Sequence, residues 1–200
     1  MNRTSLLLHA LAIKKHASPD DVAPLAGVEL AAARIVLDRA VASGRAAFAH
    51  GKYLLTPLAR VALESNYSRD FDALRANDAF VAAYEDFERI NVQLKALITD
   101  WQTISVGGER IANDHSSKAH DQAVIDRLGD LHERADRILA RLEAGHSRLA
   151  FYRTRLLSAL ERAEDGAVEW VSDAKIESYH TLWFELHEDL LRMMGRQREE

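Results

Sequence analysis

Residues 44–57 read Gly-Arg-Ala-Ala-Phe-Ala-His-Gly-Lys-Tyr-Leu-Leu-Thr-Pro, and this stretch decides the fold of the first third of the chain. Two short apolar runs flank His50-Gly51, which is the spacing of a tight β-hairpin with glycine where the backbone needs a positive φ. Thr56-Pro57 then places a capping hydroxyl before a proline, a pair that begins a helix. The stretch therefore predicts a hairpin followed by a helix.

Three helices are predicted before this hairpin. Apolar side chains at helical spacing over residues 6–13 indicate the first, and Ser18-Pro19 begins a short second helix that ends by Gly27. The third is predicted over residues 28–43, with Gly44 as its left-handed C-terminal residue. The order helix, helix, helix, hairpin, helix is that of a winged helix-turn-helix domain, and we predict one over residues 1–66.

The residues that carry this order resemble those of the bacterial MarR-type and PadR-type transcription regulators. They are Val22-Ala23, Gly27-Val28, Leu37-Asp38-Arg39, Gly44, the run Tyr53-Leu54-Leu55-Thr56-Pro57, and Arg60. The resemblance implies a DNA-binding domain whose third helix enters the major groove of double-stranded DNA. It also implies a homodimer formed through the C-terminal helix.

The side chains of the third helix are poorly suited to reading bases. Laid on the family pattern, the positions that face DNA are Glu29, Leu30, Ala31, Ala32, Arg34 and Ile35. Of these only Arg34 can donate to a base or a phosphate, and Glu29 repels phosphate. Residues 1–66 hold 8 basic and 5 acidic side chains, and the candidate DNA contacts are Arg34, Arg39, Arg45, His50 and Lys52.

Such a set of cations predicts weak or degenerate DNA binding through phosphates. The alternative is a module that does not bind DNA and serves protein interaction or small-ligand sensing.

The rest of the chain, residues 67–200, predicts an antiparallel helical bundle, so the fold class is mostly α. All three prolines lie at or before Pro57. Apolar stripes at helical spacing predict a helix over about residues 70–102, a second helix that follows the loop and ends at Gly145, and a third over residues 149–166, joined from the second onward by short connections. Ser172-Asp173 predicts the cap of a last helix. Residues 103–117 are predicted as the one long loop.

The last helix carries more apolar surface than one packing seam needs. Leu182, Phe184, Leu191 and Met194 lie outside its main stripe. We interpret this surplus face as the contact of a homodimer, and burial of the same residues within the bundle is the alternative.

A pocket for a small-molecule effector is a further hypothesis for the bundle. Aromatic rings and histidines crowd residues 177–189, and Asn91 interrupts an apolar stripe, where a buried amide needs partners. The candidate pocket residues are Asn91, Trp101, His115, Tyr179, His180, Trp183 and His187. The alternative is that this aromatic stripe is ordinary core.

No catalytic, metal or cofactor motif is found in the sequence. Cysteine is absent, and there is no HExxH, Walker loop, GxGxxG or Gly-x-Ser-x-Gly pattern. His180 and His187 are seven residues apart, too far along a helix to share one zinc ion. His132 and Asp136 form a single helical pair, which is weak evidence for a metal site. We predict no enzyme, no metal and no cofactor.

The net charge is −5, and no apolar run is long enough to cross a bilayer. Charged residues interrupt the apolar N-terminal run, so a signal peptide is not indicated. We expect a cytoplasmic protein without a membrane partner. The overall layout also resembles proteins of high-GC bacteria whose winged-helix and helical segments accompany phosphoenolpyruvate-utilising enzymes, which implies a regulatory role beside such an enzyme.

Overall fold

The computed structural model describes residues 1–197 of the chain. Within them the chain is mostly helical, with two small antiparallel hairpins, which confirms the mostly α fold class. None of the described helices combines the length and the apolar character needed to cross a membrane. The chain divides into two compact units. The first consists of Met1–Asn77 together with the segment from His187 onward, and the second of Asp78–Leu186.

The first unit contains six helices and one hairpin before residue 78. They are α1 (Arg3–Lys14), α2 (Pro19–Ala26), α3 (Leu30–Ala42), β1 (Ala46–Ala49), β2 (Lys52–Leu55), α4 (Pro57–Glu64), α5 (Tyr67–Asp70) and α6 (Asp72–Arg75). The hairpin pairs Ala46 with Leu55 and Phe48 with Tyr53. His50 and Gly51 have φ of 51° and 77°, the left-handed pair that a two-residue hairpin turn requires.

Local capping explains where two of these helices begin. Ser18 and Asp21 form a reciprocal capping box, in which each side chain accepts a hydrogen bond from the other residue's backbone N–H. The Thr56 hydroxyl accepts from the backbone N–H of Ala59, 3.4 Å away. Both starts were predicted and are confirmed.

The core of the first unit lies among α1, α2, α3 and β2. Leu7, Leu11, Leu25 and Leu37 are fully buried, and α1 packs on α2 while α2 packs on α3. Ala17 and Tyr53 exchange two backbone hydrogen bonds of 2.8 and 3.1 Å, so the segment between α1 and α2 adds an isolated bridge to β2. This backbone pairing holds the hairpin against the helices.

The second unit contains three long helices and a second hairpin. They are α7 (Asp78–Gln102), β3 (Thr103–Val106), β4 (Glu109–Ala112), α8 (Lys118–Gly145) and α9 (Ala150–Glu164). The last helix, α10 (Tyr179–Met194), belongs to this unit up to Leu186 and to the first unit from His187. Helix α7 packs on α8, and α8 packs on α9.

Four element boundaries differ from the sequence prediction. Residues 103–112 are not a loop but the hairpin of β3 and β4, turned by Gly107 and Gly108 at φ of 61° and 89°. The long helix begins at Asp78 instead of residue 70, because residues 67–75 form the short helices α5 and α6. The other two boundaries lie at the starts of α3 and α10.

Helix α3 begins at Leu30, and its N-cap residue Glu29 makes no side-chain capping bond. Helix α10 begins at Tyr179, after Ser178, whose hydroxyl accepts from the backbone N–H of Thr181 at 3.3 Å. Asp173 instead turns the chain by accepting from the backbone N–H of Lys175. The predicted cap at Ser172-Asp173 is therefore wrong, because the capping side chain is that of Ser178.

Candidate functional site

The five residues predicted to contact DNA lie on α3 and on the hairpin that packs against it. Arg34 and Arg39 are on α3, Arg45 precedes β1, His50 is at the hairpin turn and Lys52 begins β2. All five side chains are exposed. Each can therefore reach a partner in solution.

Acidic groups interrupt the positive charge of this surface. The Arg34 guanidinium lies 3.5 Å from the Asp20 carboxylate, and both side chains are more than half exposed. The Tyr53 hydroxyl donates to Asp38 at 2.6 Å, and this bond raises the pKa of Tyr53. The exposed Glu29 carboxylate lies at the N-terminus of the same helix. The surface is thus of mixed charge, not continuously positive.

Large apolar side chains are also exposed on the same elements. Leu30 and Ile35 of α3 are 37% and 53% exposed, and Phe48 of β1 is 55% exposed, with its ring centroid 4.8 Å from that of Tyr53. Exposed large apolar residues grouped on neighbouring elements often mark a contact surface. This surface therefore combines charged side chains of both signs with exposed apolar side chains.

Three of the seven residues predicted for an effector pocket form a packed cluster in the second unit. The Trp183 indole N–H donates to Asn91 Oδ1 at 3.1 Å, and both residues are buried. The Trp183 ring stacks on Phe87 at 4.8 Å and on Tyr179 at 6.1 Å between centroids. Asn91 also donates to Glu88 at 3.3 Å. These side chains therefore make their hydrogen bonds and ring contacts with one another inside the core.

Two further predicted residues, Trp101 and His115, form a separate cluster at the base of the second hairpin. Their rings lie 4.6 Å apart, and His115 Nδ1 is 3.1 Å from the Asp121 carboxylate. The Asn113 side chain donates to the Trp101 carbonyl and to Asp121, each at 2.9 Å. This cluster fastens the hairpin to the adjoining helices.

The remaining two predicted pocket residues lie elsewhere. His180 is half-buried at the start of α10, and burial lowers its pKa. His187 is buried and belongs to the first unit. The structure therefore brings Asn91, Tyr179 and Trp183 together, and Trp101 with His115, but does not gather all seven at one site.

A cleft that the sequence did not predict lies between α8 and α9 in the second unit. Its volume is about 590 Å³, and its lining residues are His132, Glu133, Asp136, Arg137, Glu143, Ala150, Arg153, Thr154 and Leu157. The Arg153 guanidinium donates to both oxygens of Asp136, at 2.6 and 2.9 Å, and to Glu143 at 3.1 Å. These bonds lower the pKa of Asp136 and raise that of Arg153. The spacing of His132 and Asp136 was the only signal in the sequence.

The first unit holds a buried polar cluster that was also missed. His9 lies between the Tyr67 hydroxyl, 2.8 Å from Nδ1, and the Asp189 carboxylate, 2.7 Å from Nε2. Burial raises the pKa of Tyr67. Beside the cluster lies a second cleft of about 500 Å³, whose arginines are Arg75, Arg192 and Arg196.

Two of the three arginines of this second cleft, Arg75 and Arg192, have structural partners. Arg75 donates to the backbone carbonyls of Met193 and Arg192, at 2.7 and 3.3 Å, and so caps the end of α10. Arg192 donates to Glu64 at 3.0 Å and to Glu188 at 2.7 Å. Both guanidinium groups therefore anchor the last helix.

The surplus apolar face predicted for the last helix is partly covered within the chain. Leu182 and Leu191 are 1% and 6% exposed, Phe184 is 38% exposed and Met194 is half-buried. Burial, the alternative given for these residues, thus applies to two of the four.

Among residues 1–197, no three histidine, aspartate or glutamate side chains converge in a way that could hold a metal ion. Comparison with family models, with curated proteins and with solved structures finds no match for this chain.

Proposed function

We propose that residues 1–66 form a winged helix-turn-helix domain of the MarR or PadR kind, which holds double-stranded DNA mainly through its phosphates. The helical bundle predicted over residues 67–200 accompanies it, in a protein that resembles a transcription regulator. The observation that carries this proposal is the hairpin β1–β2, packed on α3, with His50 and Lys52 exposed at and beside its turn. A wing in this position contacts the DNA backbone in such domains.

The residues of α3 support binding without strong sequence preference. Leu30, Ala31 and Ile35 cannot hydrogen-bond to base edges, and Arg34 is the one donor at the predicted groove positions. Phosphate contacts from Arg34, Arg39 and Lys52 supply affinity by counterion release, a term that does not depend on sequence. We therefore propose weak affinity and a steep dependence on salt.

Fluorescence anisotropy with two labelled duplexes of unrelated sequence, at about 50 and 200 mM NaCl, tests this function. We expect similar affinities for both duplexes. Lys52→Ala should weaken binding to both and lower the slope of log K against log salt by about 0.9. Lys95→Ala, an exposed cation of α7, is the matched control and should change neither. Tight binding to one duplex that survives Arg34→Ala would contradict the proposal.

Docking of a protein on the same surface is a second candidate function. The exposed Ile35 and Phe48 favour it, because large apolar side chains add little to phosphate binding and much to a protein interface. Absence of DNA binding by the wild-type chain at about 50 mM NaCl would select this candidate over the first.

We also propose that the chain forms a homodimer. Phe184 and Met194 are the residues of the last helix that support it, since Leu182 and Leu191 are already buried within the chain.

A further inference from the structure

The cleft between α8 and α9 contains one buried histidine with a free nitrogen. His132 lines the cleft and is 5% exposed. Its Nδ1 lies 3.0 Å from the Tyr179 hydroxyl oxygen. Its Nε2 has no hydrogen-bond partner among the described residues. Nε2 is not among the fully buried side-chain atoms that lack a partner in the described residues, so it is accessible from the cleft and can hydrogen-bond to a ligand there.

The Tyr179 hydroxyl determines which nitrogen of His132 carries the hydrogen. This hydroxyl is fully buried, and within residues 1–197 its hydrogen-bond partner is His132 Nδ1. Because a buried hydroxyl hydrogen needs an acceptor, Tyr179 donates to Nδ1. Burial lowers the pKa of His132 and raises that of Tyr179, which favours the neutral ring and the protonated phenol. The neutral ring therefore carries its hydrogen on Nε2 and offers a donor to the cleft.

The charged side chains of the cleft divide into a fixed set and a free set. Asp136 and Glu143 are fixed because each accepts hydrogen bonds from the Arg153 guanidinium. Glu133 and Arg137 are exposed, and neither has a hydrogen-bond or ion-pair partner among the described residues. They are four residues apart on α8, which brings their side chains to one face about 5–6 Å from each other. The free set thus offers one negative and one positive charge side by side.

We propose that this cleft binds a small zwitterion of the α-amino acid class with an apolar side chain. Its carboxylate accepts from His132 Nε2–H and faces Arg137, and its ammonium group faces Glu133. Its side chain lies against Ala150 and Leu157. A simple anion would meet Glu133 without compensation, and a simple cation would meet Arg137 and the Nε2–H donor. The proposal does not depend on DNA binding by residues 1–66.

The test is titration of the ¹⁵N-labelled 200-residue chain with L-leucine at millimolar concentration, followed by two-bond ¹H–¹⁵N spectra of the histidine rings. His132→Asn assigns the signals, because asparagine retains an acceptor for Tyr179 and lacks Nε2. The free protein should show His132 as the Nε2–H tautomer, and leucine should shift Nε2 saturably. An Nδ1–H tautomer, or a leucine titration without a saturable shift, would overturn the proposal.

Two probes that each lack one charge test the zwitterion requirement. These are 4-methylpentanoate, which lacks the ammonium group, and 3-methylbutylamine, which lacks the carboxylate. We expect each to bind at least about tenfold more weakly than leucine. Equal or tighter binding of either probe would overturn the assignment.

Charge-removing variants locate the site on α8. Glu133→Gln and Arg137→Gln should each weaken leucine binding about tenfold. Both side chains are exposed, so the fold should be retained. Asp130→Asn is the matched control, an exposed acid of the same helix that does not line the cleft. Leucine affinities equal to that of the control would overturn the site.

Discussion

His9 and Asp189 are 180 positions apart in the sequence, yet His9 Nε2 lies 2.7 Å from Asp189 Oδ1. Neither side chain is more than 1% exposed. Tyr67 extends the contact through its hydroxyl, 2.8 Å from His9 Nδ1. These three groups join α1, α5 and the second half of α10 inside the first unit. Since a buried polar group that loses its hydrogen-bond partner is costly, the cluster depends on each of its members.

Asp189→Leu should strongly destabilise the first unit. The change leaves the buried His9 Nε2 without its carboxylate acceptor, at a cost of about 1–3 kcal/mol. Asp189→Asn should cost less, because the amide oxygen still accepts from His9 Nε2. Urea unfolding of both variants measures the difference. An unfolding midpoint of Asp189→Leu equal to that of the wild type would show that this pair does not stabilise the fold.

Asn91→Leu should destabilise the second unit by about 1–3 kcal/mol, because it leaves the Trp183 indole N–H buried without an acceptor. Trp183→Phe removes the donor and keeps an aromatic ring against Phe87. In the Asn91→Leu variant, Trp183→Phe should therefore lower the free energy of unfolding less than it does in the wild type. Thermal unfolding of the two single variants and the double variant completes the cycle. If the stability losses of the two single variants simply add in the double variant, the hydrogen bond does not couple Asn91 to Trp183.

The features predicted correctly from the sequence are those encoded within about five residues. Ser18-Pro19, His50-Gly51 and Thr56-Pro57 each specify a cap or a turn through their own backbone and side chains. The hairpin of residues 103–112 also has a local signal, because Gly107-Gly108 separates its strands by the two residues of a tight turn. It escaped prediction because β4 is exposed along its whole length, so its side chains show no alternation of buried and exposed positions.

Contacts between distant positions leave no such local signal. The pairs His9–Asp189 and Asn91–Trp183 depend on how the helices pack. Of these four residues, only Asn91 was predicted to need a hydrogen-bond partner, because its amide interrupts an apolar stripe. Gly145 shows a related limit. Helix α8 ends there as predicted, but a side chain at this position would also place its Cβ 2.5 Å from the Phe80 ring. The glycine is needed for close packing as well as for ending the helix.

Stability should fall in acid partly because of His132. Burial lowers its pKa in the folded chain below the ordinary value of about 6.5. Below that pH the unfolded chain therefore binds a proton that the folded chain does not, and the free energy of unfolding decreases as the pH drops. Above about pH 6.5 the group contributes no pH dependence.

Urea unfolding at about pH 5.5 and pH 7.5 measures this effect. His132→Asn should lose less stability between the two conditions than the wild type, because it removes the titrating group and keeps an acceptor for Tyr179. His180, whose pKa is also lowered by burial, remains in both proteins. If His132→Asn loses as much stability between the two pH values as the wild type does, a group other than His132 causes the pH dependence.

Sedimentation velocity at micromolar concentration tests the proposed homodimer. The wild type should sediment as a dimer, and Phe184→Glu should shift it toward monomer, because an exposed aromatic ring is replaced by a charge that an interface would have to desolvate. Leu157→Glu, an exposed apolar residue of α9, is the control and should leave the dimer intact. A monomeric wild type would contradict the homodimer.

Changes at Glu29 separate helix capping from DNA binding. Glu29 is the N-cap residue of α3 and makes no side-chain capping bond. Serine would supply that bond, worth about 1 kcal/mol, and would lose the favourable interaction of a carboxylate with the helix dipole, worth about 0.5 kcal/mol. Glu29→Ser should therefore raise stability by about 0.5 kcal/mol, while Glu29→Ala, which loses the dipole interaction and gains no cap, should lower it by a similar amount.

Both variants remove a negative charge that repels phosphate at the start of the proposed recognition helix. DNA affinity should therefore rise in both, by a similar factor and for every duplex, although their stabilities change in opposite directions. Glu169→Ser, an exposed acid of the second unit, should leave the affinity unchanged. Anisotropy titrations and urea unfolding on the same preparations give the two readouts. If affinity rises only in the serine variant, the cap and not the charge governs binding; if it rises in neither, α3 does not face the DNA.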